Sequence, residues 1–432
     1  MIPAIRVVCF TMLLSAFSFR AGAVDFTNAI PVQLNSSKPG VSLVVAPEPS
    51  AKAMSYDHSR MALLGVIVLW NLAIPALFLF TGFSARIRSW AERGGRKWYF
   101  GFALYCVIVF GLFYLVSLPL SCYSGLVLPH SYDLSNQTFA KWFGNSLKNM
   151  AVLVTAVLAA GWIPFVLIKR SPRRWWLYTS LLTLPLLCGL LLIVPVLIAP
   201  LFNQYQPLQD KKLEAKILAL TARAGIENGR VYQVNASVDT KAVSARVLGF
   251  MGTERIVIWD TMLRTFNEDE VLFVVGHEMG HYVLGHIVKS IPLAFVLILF
   301  SFYAIHLLAD RIIGRFKERF GFGVLSDYAA LPLVILLLQI FVIAGMPVPM
   351  AFLRYEEHEA DRFAVELTRD NRAGITSAVK LQQYDLGIPR HGLLRHLWLD
   401  THPSGGERID FFNSYRPWES GQPSRYEEYM KP

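Results

Sequence analysis

HEMGHYVLGHIVKSIPLAFVLILFSFYAIHLLA, residues 277–309, decides the architecture, because a His-Glu-x-x-His pattern runs almost without break into a stretch with the composition of a membrane helix. The uncharged part, 291–309, is close to the roughly 20 residues that a helix needs to cross about 30 Å of hydrocarbon. Further apolar runs lie at 61–82, 99–121, 151–168, 177–199 and 329–350. Hydrophobic residues make up 54% of the 432-residue chain and charged residues only 17%, too apolar a balance for a soluble protein of this size. The expected fold is therefore mainly α: a polytopic helical membrane protein of six to seven spans, with an α+β domain inserted between them.

The net charge of +10 is concentrated in short loops. Arg86, Arg88, Arg93, Arg96 and Lys97 follow the first main span, Lys169, Arg170, Arg173 and Arg174 the third, and Arg311, Arg315, Lys317 and Arg319 the fifth. Basic residues in short loops mark the cytoplasmic side, which argues for a lipid bilayer as partner and against nucleic acid. Alternating spans then place 122–150, 200–290 and 351–432 on the exported face. At the N-terminus, Arg6 precedes an apolar stretch ending in Ala21-Gly22-Ala23, so residues 1–23 read either as a secretory signal peptide or as a first membrane helix. Both readings export 24–58 as a linker, and both favour a bacterial inner membrane with the catalytic side facing the periplasm or exterior.

The remaining boundaries follow from the same pattern. Residues 59–200 form an N-terminal membrane domain of four spans, 201–290 the first part of a metalloprotease domain, 291–350 two further spans, and 351–432 the second part. RVYQVN (230–235), ERIVIW (254–259) and VSARVLGF (243–250) read as short strands. Asn267, with Glu270 three residues later, signals a capping box at the start of a helix over 268–288, and helical periodicity returns at 352–370 and 372–384.

His277 and His281, four residues apart on that helix, project toward one point, as two imidazole ligands of a zinc ion must. Glu278 lies between them, placed to act as general base on the attacking water. The pattern arises by chance in about one chain in a hundred, so its surroundings carry the argument. Gly276, Gly280 and Gly285 are poor helix formers, and small residues beside a metal let another element pack closely. His286, nine residues beyond His277, falls about 180° around a continuous helix and is not expected to share its ion. With four cysteines but no CxxC pair, a metal has to be held by His and carboxylates. A catalytic zinc needs a third protein ligand, for which RYEEHEADRFAVEL (354–367) offers Glu356, Glu357, His358, Glu359 and Asp361. Glu357 and Asp361 share a face at i, i+4, so that one can bind the ion while the other orients a histidine.

HEMGHYVLGH, RYEEHEADRFA and THPSGGERI (401–409), together with LPLSCYSGLVLPH (118–130) and APLFNQYQPL (199–208), resemble the integral-membrane zinc metallopeptidases of the CAAX prenyl endopeptidase group, gluzincins related to HtpX-type proteases. The resemblance, which spans roughly residues 60–415, implies a helical membrane barrel around a water-filled chamber. It also implies one zinc per chain held by His277, His281 and Glu357, with Asp361 supporting the ligands. His402 is implied to donate to the oxyanion; Arg408 is a candidate to pair with an acidic residue of the site, its role left open. Ser244, Ala245 and Gly249 fall where the group's substrate-binding strand reads Asn-Ala-x-x-x-Gly, so a hydroxyl stands here in place of an amide.

The expected activity is hydrolysis of membrane-associated or lipidated polypeptides by metal-activated water. Removal of a C-terminal tripeptide from prenylated substrates is the second enzyme reading, opposed by the exported orientation because prenyl processing is cytosolic. A membrane chaperone-like protein without turnover is the reading from another class.

Overall fold

The computed structural model describes residues 34–36, 42–226, 229–248 and 255–431. The segment 1–23 and the substrate candidate Gly249 lie outside the described residues. Six described helices are long and apolar enough to cross a bilayer: Ala51–Phe80, Trp98–Ser131, Phe139–Arg170, Trp175–Leu201, His286–Phe320 and Tyr328–Gly345. The expected apolar runs fall on these six. Only 6% of the apolar window of Trp175–Leu201 and 11% of that of His286–Phe320 are buried within the protein. Surfaces so apolar and so uncovered require lipid rather than water around them.

The sixth expected run overshoots, because Pro347 and Pro349 lack N–H donors and interrupt the helical hydrogen bonding at Met346, beyond which the helix Pro347–Thr368 begins. The linker reading also changes: the first span begins at Ala51, capped by Ser50, and Val44 is buried against the C-terminal helix Gly405–Ser414. Asn413 clasps the Val44 backbone there, its amide donating to the Val44 carbonyl at 2.8 Å and its oxygen accepting from the Val44 N–H at 3.2 Å.

Outside the spans, strands β1 (Leu34–Ser36) and β2 (Ser42–Val44) form a short antiparallel pair. The main sheet is built from β3 (Tyr205–Pro207), β4 (Arg230–Val234), β5 (Ala245–Leu248) and β6 (Arg255–Trp259), in the order β3-β4-β6-β5. β4 and β6 are parallel, and β5 runs antiparallel to β6 as an edge strand. The alternating apolar residues Val231, Ile256, Ile258 and Ala245 turn one face of the sheet onto the motif helix Glu268–Val283, burying Val271, Val275 and Met279 with it.

The motif helix begins with the expected capping box: Asn267 Oδ1 accepts from the Glu270 N–H at 2.9 Å, and Glu270 Oε2 accepts from the Asn267 N–H at 2.8 Å. It does not continue to 288. Gly285 adopts φ +65°, a left-handed conformation that suits glycine, and the chain restarts there as the span His286–Phe320.

The acidic helix Pro347–Thr368 packs along the motif helix at contacts set by small residues. A side-chain carbon added at Gly280 would meet Ala360 Cα and Phe363 Cβ at 3.1 Å, whereas one at Gly276 would find its nearest neighbours at 3.6 Å. The two glycines are therefore not equivalent. Gly276→Ala is expected to raise stability by up to about 1 kcal/mol through helix propensity. Gly280→Ala forces the helices apart and should cost about 1–3 kcal/mol. Thermal unfolding of the detergent-solubilised variants distinguishes them, and equal shifts would show that close packing at Gly280 is unimportant.

Candidate metal centre

The close approach of these helices brings two histidines and a carboxylate to one point. His277 Nε2 and His281 Nε2 are 3.2 Å apart, and Glu357 Oε2 lies 3.1 Å from the first and 3.5 Å from the second. A tetrahedral ion with bonds of about 2.0–2.1 Å holds its ligand atoms about 3.3–3.4 Å apart, so these edges fit one ion. His277, His281 and Glu357 are also the group of possible metal-binding side chains that the described residues bring together.

Hydrogen bonds on the far side of each ring reinforce that fit. His277 Nδ1 lies 2.8 Å from Asp361 Oδ1, so this nitrogen carries the proton and donates to the carboxylate. His281 Nδ1 lies 2.8 Å from His286 Nδ1, which accepts from it in the matching tautomer. The Nε2 atoms are then the ring nitrogens left to face each other across 3.2 Å, free to take a cation or, without one, a proton shared with Glu357. His286 is not one of the converging donors, as the sequence argument held, but its function at the site was missed. The break at Gly285 turns it back toward the ring of His281, and a continuous-helix wheel cannot show that.

Burial alone would push the Asp361 carboxyl upward, but Arg408 and His277 prevail and hold it down at about 2. Arg408 grips it with both arms of the guanidinium, Nε at 2.8 Å from Oδ2 and Nη2 at 2.6 Å from Oδ1, which is the acidic partner the sequence left unnamed. Arg408 sits on the first turn of Gly405–Ser414, a helix fixed by a second capping box between Ser404 and Glu407. Glu357 is likewise held well below the usual carboxylate range: burial opposes this, and the charges of His402 and His281 with the hydrogen bond of His277 outweigh it. Burial disfavours a charged His277, yet Asp361 and Glu357 raise it to about 9. The same field favours a divalent cation at this point.

The other candidates on the acidic helix have separate partners. Glu356 accepts from Ser290 Oγ at 3.2 Å and, being buried, is pushed up to about 8. His358 stacks edge-on against Phe411 and meets Arg362, and Glu359 pairs with Arg362 at 2.6 Å and with Arg425 at 3.2 Å. Glu366 receives the backbone N–H groups of Arg425 and Tyr426. The acidic run is thus a set of buried carboxylates, each matched to a donor, and not a solvated face. Glu278, the expected base, is half-buried, and its charge helps to stabilise Arg408. His402 Nε2 reaches Glu357 Oε2 at 3.2 Å, with 43% of its side chain open. Ser244 and Ala245 lie at the start of the edge strand β5, whose neighbour β6 binds back through the Trp259 N–H to the Ser244 carbonyl at 2.9 Å.

Residues 207–415 match the profile of peptidase family M48, and 35–204 that of the CAAX prenyl protease N-terminal domain, described as five membrane helices. The metalloprotease YhfN of Bacillus subtilis is 33% identical over 88% of this chain and 89% of its own length. The chain belongs to peptidase family M48. CAAX prenyl protease 1 homolog of Arabidopsis thaliana is another relative of this M48 chain, 30% identical over 68% of it and 69% of the plant protein. The crystal structure of S. mikatae Ste24p superposes with a TM-score of 0.71 over 95% of the M48 chain and 97% of its own, at 19% identity, and so shares its fold. The protein is accordingly an integral membrane metalloprotease. Four of the six long apolar helices fall in the range matched to the N-terminal domain.

Loss of the His286 ring should weaken metal retention by about 10–100-fold, the usual effect of removing the group behind a ligating histidine. Competition between purified His286→Ala and a graded series of chelators measures this. Retention equal to that of the unaltered protein would show that the contact with His281 does not support the centre.

Proposed function

We propose that the chain is a zinc-dependent endopeptidase, with His277, His281 and Glu357 holding one zinc ion and Glu278 acting as general base. The observation that carries the reading is the convergence of the two Nε2 atoms and Glu357 Oε2 at 3.1–3.5 Å, with both Nδ1 atoms engaged elsewhere. Bound there, zinc would polarise the scissile carbonyl and lower the pKa of water toward about 7. Glu278 takes the proton of the attacking water and passes it to the leaving amine. His402, beside Glu357 and partly open, donates its Nε2–H to the developing oxyanion. Asp361, fixed by Arg408, holds His277 in the tautomer that presents Nε2.

The substrate lies along β5. It is the edge of the sheet nearest the motif helix, and an extended peptide can add there by backbone hydrogen bonds, with Ser244 and Ala245 lining its start and Gly249 following it in sequence. Membrane-associated polypeptides suit a site placed where two spans meet the metalloprotease domain. The basic loops support an exported site, which in this reading faces outward from a bacterial inner membrane. Arg88 pairs with Asp327, which joins two of the loops on the face opposite the domain. Hydrolysis of prenylated substrates is a second reading, favoured by the match to the CAAX prenyl protease N-terminal domain and disfavoured by this orientation.

Purified protein is expected to carry about one zinc per chain and to cleave peptides. Glu278→Gln should retain the metal while turnover falls about 10²–10⁴-fold, and His277→Ala should lose the metal itself. Undiminished cleavage by Glu278→Gln would overturn the assignment of the base. A reporter fused to the C-terminus tests the orientation: activity outside the cytoplasm supports the exported site, and activity inside supports the prenyl reading.

A further inference from the structure

His402 follows a stretch, 391–401, in which no residue is fully buried. An open cleft of about 330 Å³, lined by Arg354, His396, Pro403 and Arg408 among others, borders it. Polar links hold the stretch instead. Arg354 Nη1 donates to the carbonyl oxygen of His396 at 2.5 Å and to that of Asp400 at 2.8 Å, two residues before His402. Arg395 pairs with Asp57 of the first span, Trp398 donates its indole N–H to the Ile343 carbonyl of the last span at 2.9 Å, and His391 closes on Asp400 at 2.6 Å.

Arg354, Glu357 and Asp361 stand at i, i+3 and i+7 on the acidic helix, on a single face. Each meets a successive point of one segment: the backbone at 396 and 400, the ring of His402, and the guanidinium of Arg408. We infer that Arg354 is a positioning residue for the reaction, fixing the backbone before His402 so that its Nε2 points into the metal centre. The inference rests on the role given above to His402. Among the described residues, the hydrogen bonds of Arg354 go to the carbonyls of His396 and Asp400 and not to the converging donors. A guanidinium is suited to the task because one planar group can serve two carbonyls in a fixed geometry, which a lysine ammonium reproduces only loosely.

The test is a double-mutant cycle in the full chain, purified in detergent and assayed on a fluorogenic peptide, with zinc content measured in parallel. Arg354→Ala is expected to lower kcat about 10–100-fold with KM and zinc content within about twofold of the unaltered protein. Arg354→Lys should recover part of that loss. The Arg354→Ala, His402→Ala double variant should be no slower than His402→Ala alone, because a misplaced and an absent ring are equivalent. Multiplying losses in the double variant, or loss of zinc in proportion to activity in Arg354→Ala, would overturn the inference while leaving the role of His402 standing. Full activity in His402→Ala would remove that role and the inference with it. If Arg354→Ala does not fold, Arg354→Gln, which keeps one donor arm, is judged by the same criteria.

Discussion

The close approach of two helices at Gly280 is the constraint on which the rest of the site depends. Backbone and Cβ atoms of Ala360 and Phe363 occupy the space that a side chain would fill, so Glu357 and Asp361 are carried to the rings of His277 and His281. A metalloprotease site needs its donors placed to within a fraction of an ångström, and helix-on-helix contact without intervening side chains supplies that rigidity. The glycines sacrifice helix propensity for it, and the motif helix is stabilised instead by its capping box and by the apolar face packed on the sheet.

Charge is the second organising principle. Glu356, Glu357, Glu359, Asp361 and Glu366 are all buried on one helix, and an unmatched ionised carboxylate is strongly disfavoured in such surroundings. Four of the five are met by Arg or His side chains or by backbone N–H groups supplied from the C-terminal segment and the motif helix, and Glu356 by a serine hydroxyl. The motif helix and the elements that follow the last span therefore share in supplying the charges and donors that allow the helix to be buried.

Much of this was legible in the chain itself. Spans could be read because hydrocarbon imposes a length and a composition, and the HEMGH helix because its cap and histidine spacing are local. The set His277, His281, Glu357 came partly from spacing and partly from resemblance. What could not be read was long-range or depended on one backbone angle. Gly285 at φ +65° swings His286 onto His281, against the continuous helix expected over 268–288. β3, three residues long and containing a proline, carries no periodicity. The partners of the acidic run, Arg408, Arg425 and Tyr426, lie 47 to 67 residues away in sequence, beyond the reach of any local pattern.

The two parts of the centre are separated by two membrane spans, His286–Phe320 and Tyr328–Gly345. During synthesis HEMGH emerges first and stands without its carboxylate until both spans are threaded and the acidic helix has crossed to the same side. Arg408 arrives later still. Assembly of the candidate centre is thus coupled to completed insertion: a half-inserted chain has the histidine pair without Glu357, and the three side chains can converge only in a molecule whose topology is already correct.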